Sequence, residues 1–337
     1  MVEYLPWSEF ERNISLKFYR QKIFSIMDFE LGGDCNLNCI YCDSPDRSIK
    51  VTFDINSIER FLKENYFRWL FICGIGEPSA GENYVFFIKL LEMCEKYKLR
   101  CSSFTNILNL NGELLNFVEK GILCLKIKLD SLRPERIKYL YGLNHYKVII
   151  ENINIIKEIV MAKEGCTNIA ASIVPTKINY DEIDTLIKLC IDNAIFPLIG
   201  HLEYSGRAII KQKELALTDD EHKKMYTMIK EKYNIDYQLP VCPSVTTGIR
   251  IDSEGNVILD KETGLTCNWL WLKTPIIQKL KNIETYTCST EIFDNIFNFR
   301  QSKLQNVKEL LEKETLPSGG CGGDVRKVLE YYLSMIK

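Results

Sequence analysis

Histidine is scarce in this 337-residue chain: there are three, His145, His201 and His222, so a zinc site completed by imidazole has few residues to draw on. Charge of one sign is missing as well. The 43 Lys and Arg against 45 Asp and Glu leave a net charge of −2, which removes the broad attraction on which non-specific nucleic-acid or membrane-surface binding depends. No stretch of about 18 apolar residues is free of charges, which argues against a membrane span. Met1–Arg12 carries Glu3, Glu9, Glu11 and Arg12 where a signal peptide requires an apolar run, so the expected address is the cytoplasm. No internal repeat or low-complexity tract interrupts the chain. Cysteine, in contrast, is plentiful, with 13 residues, and in a reducing compartment metal ligation is the first explanation to test.

With 46% hydrophobic and 26% charged residues, the chain has an ordinary globular composition, long enough for about two domains. From residue 23 to 208, six apolar β-rich runs alternate with helical patterns: 25–31, 68–73, 101–105, 123–129, 168–174 and 196–202. All but the first are reached through segments long enough for a crossover helix, so the expectation is a parallel sheet with α/β architecture, a partial (β/α)6 barrel. Helical periodicity is clearest over 84–97, 146–162 and 180–192. A capped helix is expected from Thr218 to about Lys232, then a hairpin joining 248–251 to 256–259 across Asp252-Ser253-Glu254-Gly255. A helix over 291–313, a Gly-rich turn and a final amphipathic segment, 325–336, complete the reading.

Cys35-Asn36-Leu37-Asn38-Cys39-Ile40-Tyr41-Cys42 places three thiols on one loop directly after the first predicted strand. Random scatter of 13 cysteines produces roughly 0.02 such triplets per chain, so the spacing points to a metal centre. A structural zinc site ordinarily has four protein ligands, and no fourth Cys or His lies nearby; a three-thiolate [4Fe–4S] cluster leaves one iron open. The second predicted strand is followed by Gly74-Ile75-Gly76-Glu77-Pro78, where glycines admit close backbone approach and Glu77 offers a carboxylate suited to an ammonium group.

The triplet resembles the signature of the radical S-adenosylmethionine (SAM) superfamily, and the likeness covers roughly residues 23–208. It implies that Cys35, Cys39 and Cys42 hold a [4Fe–4S] cluster whose open iron is chelated by SAM. Tyr41 matches the aromatic that helps seat the adenine. Gly76, Glu77 and Pro78 match the segment holding the SAM amino group, with Ile75 in place of a glycine. Asn106 matches a ribose-side position. Lys128, where relatives often have Ser, either meets the SAM carboxylate or snorkels to solvent. Arg207 falls in a "GRA"-like segment and serves SAM, substrate or a structural carboxylate.

Cys242, Gly255 and Asp260 resemble the opening of the SPASM and twitch domains, with Asp in place of the final Cys. The resemblance implies one auxiliary iron–sulfur cluster on Cys242, Asp260, Cys267 and Cys321, with Cys288 in reserve. The competing reading of Cys242, Cys267 and Cys321 is burial as small hydrophobes. The implied organisation is an N-terminal extension, 1–22, a radical SAM partial barrel, 23–210, a helical connector, 211–241, and a smaller α+β twitch-like domain with a β-hairpin, 242–337. About 22 residues precede the first strand, where peptide modifiers often carry a recognition domain of about 80 residues, which tilts the reading toward a small molecule or a peptide delivered by another protein.

By the same resemblance the chain cleaves SAM reductively and abstracts hydrogen from a small metabolite or ribosomal peptide, leading to oxidation, cross-linking or epimerisation. It draws its electron from an external donor such as flavodoxin or ferredoxin. No side chain is assigned as acid, base or hydrogen donor. The alternative is a non-catalytic iron–sulfur or zinc-binding interaction protein on a barrel scaffold, against which the Gly76-Glu77-Pro78 loop argues.

Overall fold

A computed structural model describes residues 20–64, 67–72, 75–162, 169–202, 205–235, 248–266, 277–313 and 325–336. Six short strands, β1 (Ile26–Phe29), β2 (Trp69–Ile72), β3 (Arg100–Thr105), β4 (Leu123–Lys128), β5 (Ala170–Ile173) and β6 (Phe196–Ile199), pair in parallel in sequence order. They are largely buried, as befits strands covered on both faces. Helices α1 (Ile55–Glu64), α2 (Gly81–Tyr97), α3 (Gly112–Glu119), α4 (Pro134–Tyr141), α5 (Tyr146–Ala162) and α6 (Ile183–Asp192) lie in the crossovers. After β6 come α7 (Gly206–Leu215) and α8 (Asp219–Tyr233). The start of α8 has the expected cap: Thr218 accepts from the Glu221 backbone while Glu221 reaches back to the Thr218 backbone.

The hairpin also forms, β7 (Gly248–Ile251) antiparallel to β8 (Asn256–Asp260), but it does not stand apart. β7 lies parallel to β1, Asp28 opposite Arg250, so one sheet of order β6-β5-β4-β3-β2-β1-β7-β8-β9 contains both parts. The sheet is open, with β6 and β9 (Ile277–Asn282) at its edges. β9 has no counterpart among the expected elements because every second side chain faces solvent on an edge strand carrying Lys279 and Lys281.

The single helix expected over 291–313 is two: α9 (Ser289–Ser302) and α10 (Leu304–Leu311). The Ser302 hydroxyl donates back to the Phe299 carbonyl at 2.6 Å, where the chain leaves the first helix. The last helix, α11 (Val325–Ile336), has the bounds expected of it. No described helix is long and apolar enough to cross a membrane.

Strand register sets the inner face. Lys126 pairs with Phe104 and Ala170, and Lys128 with Ser172; the alternation of strand side chains then brings Ser102, Phe71, Asp28 and Arg250 to that same side. Ile26, Trp69, Phe71 and Cys124 fill its lower end as a small cluster apart from the main core.

Candidate functional site

Beyond the C-terminal ends of the strands, where open α/β sheets place their ligands, lies a cavity of about 230 Å³. Its walls include Cys35, Cys39, Cys42 and Tyr41 from the loop after β1, and Gly76, Glu77 and Pro78 from the loop after β2. Asn106, Lys128, Ser172 and His201, from the ends of β3 to β6, complete the ring.

One buried side chain joins the first two loops. Asn83, on α2, accepts from the Gly32 backbone N–H at 2.7 Å. Its amide nitrogen contacts the carbonyls of Gly32 (2.9 Å), Asp34 (3.2 Å) and Glu77 (3.2 Å). The Glu77 N–H donates to the Asp34 carbonyl at 2.7 Å, closing the seam. Gly76 completes it at φ +66°, where a Cβ would lie 2.1 Å from the Gly32 carbonyl oxygen, so only glycine fits.

The Glu77 carboxylate is buried and oriented. One oxygen accepts from Thr105 Oγ1 (2.6 Å), Ser79 Oγ (2.7 Å) and the Ser79 N–H (3.3 Å); the other accepts from the Asn106 N–H at 2.8 Å. Burial pushes its pKa above the ordinary carboxylate value and these hydrogen bonds oppose that rise. The second oxygen, with one partner, keeps acceptor capacity for an ammonium donor.

Opposite it, Lys128 lies 3.3 Å from Asp130 and 4.5 Å from the Tyr41 ring centroid. Burial lowers the Lys128 pKa, but the Asp130 carboxylate more than offsets that, so the ammonium titrates above its usual value. Asp130 accepts from the hydroxyls of Tyr41 and, at 2.8 Å, Tyr141. Tyr41 is thereby a fixed wall with its hydroxyl turned away to a carboxylate.

Burial raises all three thiol pKa values, that of Cys39 up to about 12. They are neutral thiols that surrender protons on binding metal. Among the described residues no three His, Cys, Asp or Glu side chains converge on a point suited to a single metal ion. Three thiols lining one cavity fit the donor set of a polynuclear cluster, in which each thiolate meets its own iron.

Arg207 stands apart from the cavity. It braces the outside of the cysteine loop, donating from the side chain to Asn38 Oδ1 and the Cys39 carbonyl (3.2 Å), and from the backbone to the Cys42 carbonyl at 2.9 Å. Asp260 is remote as well. β8 runs back from the site end, and the register puts Asp260 level with Gly248 and Ile26, at the other end of the sheet from the thiols. One Asp260 oxygen accepts from the Thr263 hydroxyl (2.6 Å) and from the N–H groups of Thr263 and Glu262; the other is buried with no partner among the described residues. Cys242, Cys267 and Cys321 lie outside the described residues, and Cys288 is exposed at the start of α9.

Two further cavity residues are His201, on sequence only a loose catalytic candidate at the end of the sixth strand, and Lys126, given no role there. His201 Nε2 is 2.7 Å from the Tyr226 hydroxyl, its ring packs 4.9 Å from that of His222, and burial holds its pKa down to about 3, so it stays neutral. Lys126 lies 4.5 Å from both the Phe71 and Phe104 ring centroids. The sequence signal for Asn83 was a polar residue within the stripe Asn83, Phe87, Leu90, Cys94 that α2 buries.

This fold is shared with SuiB of Streptococcus suis bound to S-adenosylmethionine, with a TM-score of 0.56 and 18% identity over 84% of this chain and 70% of that one. It is shared too with anSMEcpe bound to AdoMet and the Kp18Cys peptide, with a TM-score of 0.59 and 15% identity over 92% of this chain and 96% of that one. SuiB bound to its precursor peptide SuiA aligns at a TM-score of 0.51, 19% identical over 76% of this chain and 62% of that one. What these likenesses define is the fold, an open α/β barrel.

In sequence, the uncharacterised protein MJ0804 of Methanocaldococcus jannaschii is 30% identical over 129 residues, 37% of this chain and 41% of that protein. The match therefore spans less than half the length of that relative. No protein-family model matches the chain.

Proposed function

We propose that this chain is a radical SAM enzyme acting on a peptide. The observation carrying the proposal is that the three thiols and the Glu77 loop, separated in sequence, line one cavity and are fastened together by Asn83. Cys35, Cys39 and Cys42 hold a [4Fe–4S] cluster, and Glu77, Asn106 and Lys128 hold SAM beside it. When bound, these groups supply reductive cleavage of SAM to methionine and a 5′-deoxyadenosyl radical, which takes hydrogen from the substrate.

The protein's own part is positional. Glu77 receives the SAM ammonium while Thr105, Ser79 and Asn106 keep its oxygens aimed. Lys128, anchored by Asp130 and Tyr41, faces the SAM carboxylate. His201, Ser172 and Lys126 line the remaining space and meet the substrate. The peptide class is supported by neighbours of the same fold solved with peptides.

An auxiliary cluster on Cys242, Asp260, Cys267 and Cys321 is proposed from the sequence resemblance, with the unpartnered buried oxygen of Asp260 as its support. The test is anaerobic reconstitution with dithionite and SAM. 5′-Deoxyadenosine forms with the natural chain and not with Cys39→Ala. Iron near eight per chain supports two clusters and near four supports one. Bound iron without any nucleoside shifts the conclusion to a non-catalytic iron–sulfur protein.

A further inference from the structure

The cysteine loop has an outer side. Asn38, exposed and next to Cys39, is gripped from two directions. Its N–H donates to the Tyr141 carbonyl at 2.9 Å, and the Ile40 N–H donates to the Leu140 carbonyl at 3.0 Å, at the end of α4. A Cβ on Gly142 would stand 3.1 Å from that of Asn38. On the other flank, Arg207 of α7 donates to Asn38 Oδ1. Segments 138–143 and 206–215 therefore frame a short route from solvent to Cys39.

These segments are unusually apolar for a surface. Of nine large hydrophobic side chains that are well exposed among the described residues, four stand here: Tyr139 (42%), Leu143 (47%), Ile209 (48%) and Ile210 (81%). Ile210 follows Arg207 by one turn, on the α7 face that reaches Asn38. The same segments are basic. Lys138, Arg207, Lys211 and Lys213 face a single carboxylate, Glu214, which pairs with Lys211 at 2.8 Å. None of the four apolar side chains, nor the three lysines, lines the cavity, so substrate binding does not explain them.

An apolar centre with a rim of one charge is the anatomy of a transient protein interface, and a basic rim selects an acidic partner. Resting on the reading of the thiols as a cluster site, we propose that this face docks a small acidic electron-carrier protein. One electron passes from the reduced carrier to the centre held by Cys35, Cys39 and Cys42; the carrier is oxidised by one electron, and no bond or proton moves.

The test uses the reconstituted full chain and a purified acidic flavodoxin, with Kd measured by calorimetry at low and high salt. Ile210→Asp, at a solvent-facing helix position, raises Kd about tenfold. The pair Lys138→Glu and Lys213→Glu raises it about tenfold and flattens its salt dependence. Reduction of the centre by flavodoxin hydroquinone slows in parallel, while dithionite-driven formation of 5′-deoxyadenosine is unchanged in every variant. Kd values within twofold of the natural chain, or absence of flavodoxin binding by the natural chain, overturn the docking surface. A failure of dithionite to yield nucleoside overturns the enzymatic reading instead, and the Kd comparison still decides the surface.

Discussion

Replacing Asn83 separates the two loops that make the cavity, and the size of the effect follows from its partners. In Asn83→Ala the buried Gly32 N–H loses its side-chain acceptor, and carbonyls of Gly32, Asp34 and Glu77 lose a donor. One orphaned buried donor costs about 1–3 kcal/mol and each of the two bonds the amide N–H groups can donate about 1, so the variant is destabilised by about 3–5 kcal/mol. Asn83→Asp is more informative. It keeps an acceptor for the Gly32 N–H but turns a carboxylate oxygen toward three carbonyl oxygens. At neutral pH it is therefore at least as unstable as the alanine variant, and it recovers relative to the natural chain as acid protonates it and restores one donor. Urea unfolding at pH 7.5 and 5, with SAM affinity measured on the same samples, reads both effects. A loss below 1 kcal/mol in Asn83→Ala with unaltered SAM affinity would refute the role assigned to this residue.

Two other predictions concern the inner face. Burial pushes the Asp28 carboxyl up to about 6 from an ordinary 3.8, against the pull of Arg250 and Lys126. The native state thus binds that proton more tightly than the unfolded chain, so stability present below about pH 4 is lost as pH rises through 6, by about 3 kcal/mol. Asp28→Asn should recover that amount at pH 7.5 and little at pH 4, measured as the difference from the natural chain in urea; equal differences at both pH values would count against it. Arg250→Met leaves Glu30, buried and 2.5 Å from Arg250 Nη2, without its counter-ion and costs about 3–5 kcal/mol; adding Glu30→Leu recovers most of the loss in thermal unfolding.

The six parallel strands were legible because each is a short apolar run between turn signals, and α8 because Thr218 and Glu221 stand at capping-box spacing. Cys35, Cys39 and Cys42 stood out by spacing alone, and Gly76 and Glu77 by their place one βα unit later; the structure brings both loops to one cavity. Arg207 was located by its segment, yet its reach to Asn38 rather than into the cavity depends on how α7 approaches the cysteine loop, which no local pattern encodes. Asn83 and the Asp130–Tyr141 pair were hidden for the same reason: their partners lie 51 and 11 residues away in sequence. The edge strand β9 was obscured by its alternating lysines.

The hairpin changes what an auxiliary centre can do. Because β7 runs parallel to β1, the turn at Asp252–Gly255 emerges at the site end, where the Thr52 N–H donates to the Ser253 carbonyl at 2.8 Å and the Glu30 N–H to the Ile251 carbonyl at 2.9 Å. The hairpin thus supports the segment leading out of the cysteine loop and supplies Arg250 to the inner face. β8 then carries the chain back, leaving Asp260 level with Ile26. From Ile26 to Glu30, where the cysteine loop begins, the strand rises about 13 Å at roughly 3.3 Å per residue. A centre that used Asp260 would therefore sit level with the lower cluster of Ile26, Trp69, Phe71 and Cys124, away from any substrate held beside the thiols. Ligating the substrate requires contact that this separation denies such a centre, whereas accepting an electron tolerates the distance.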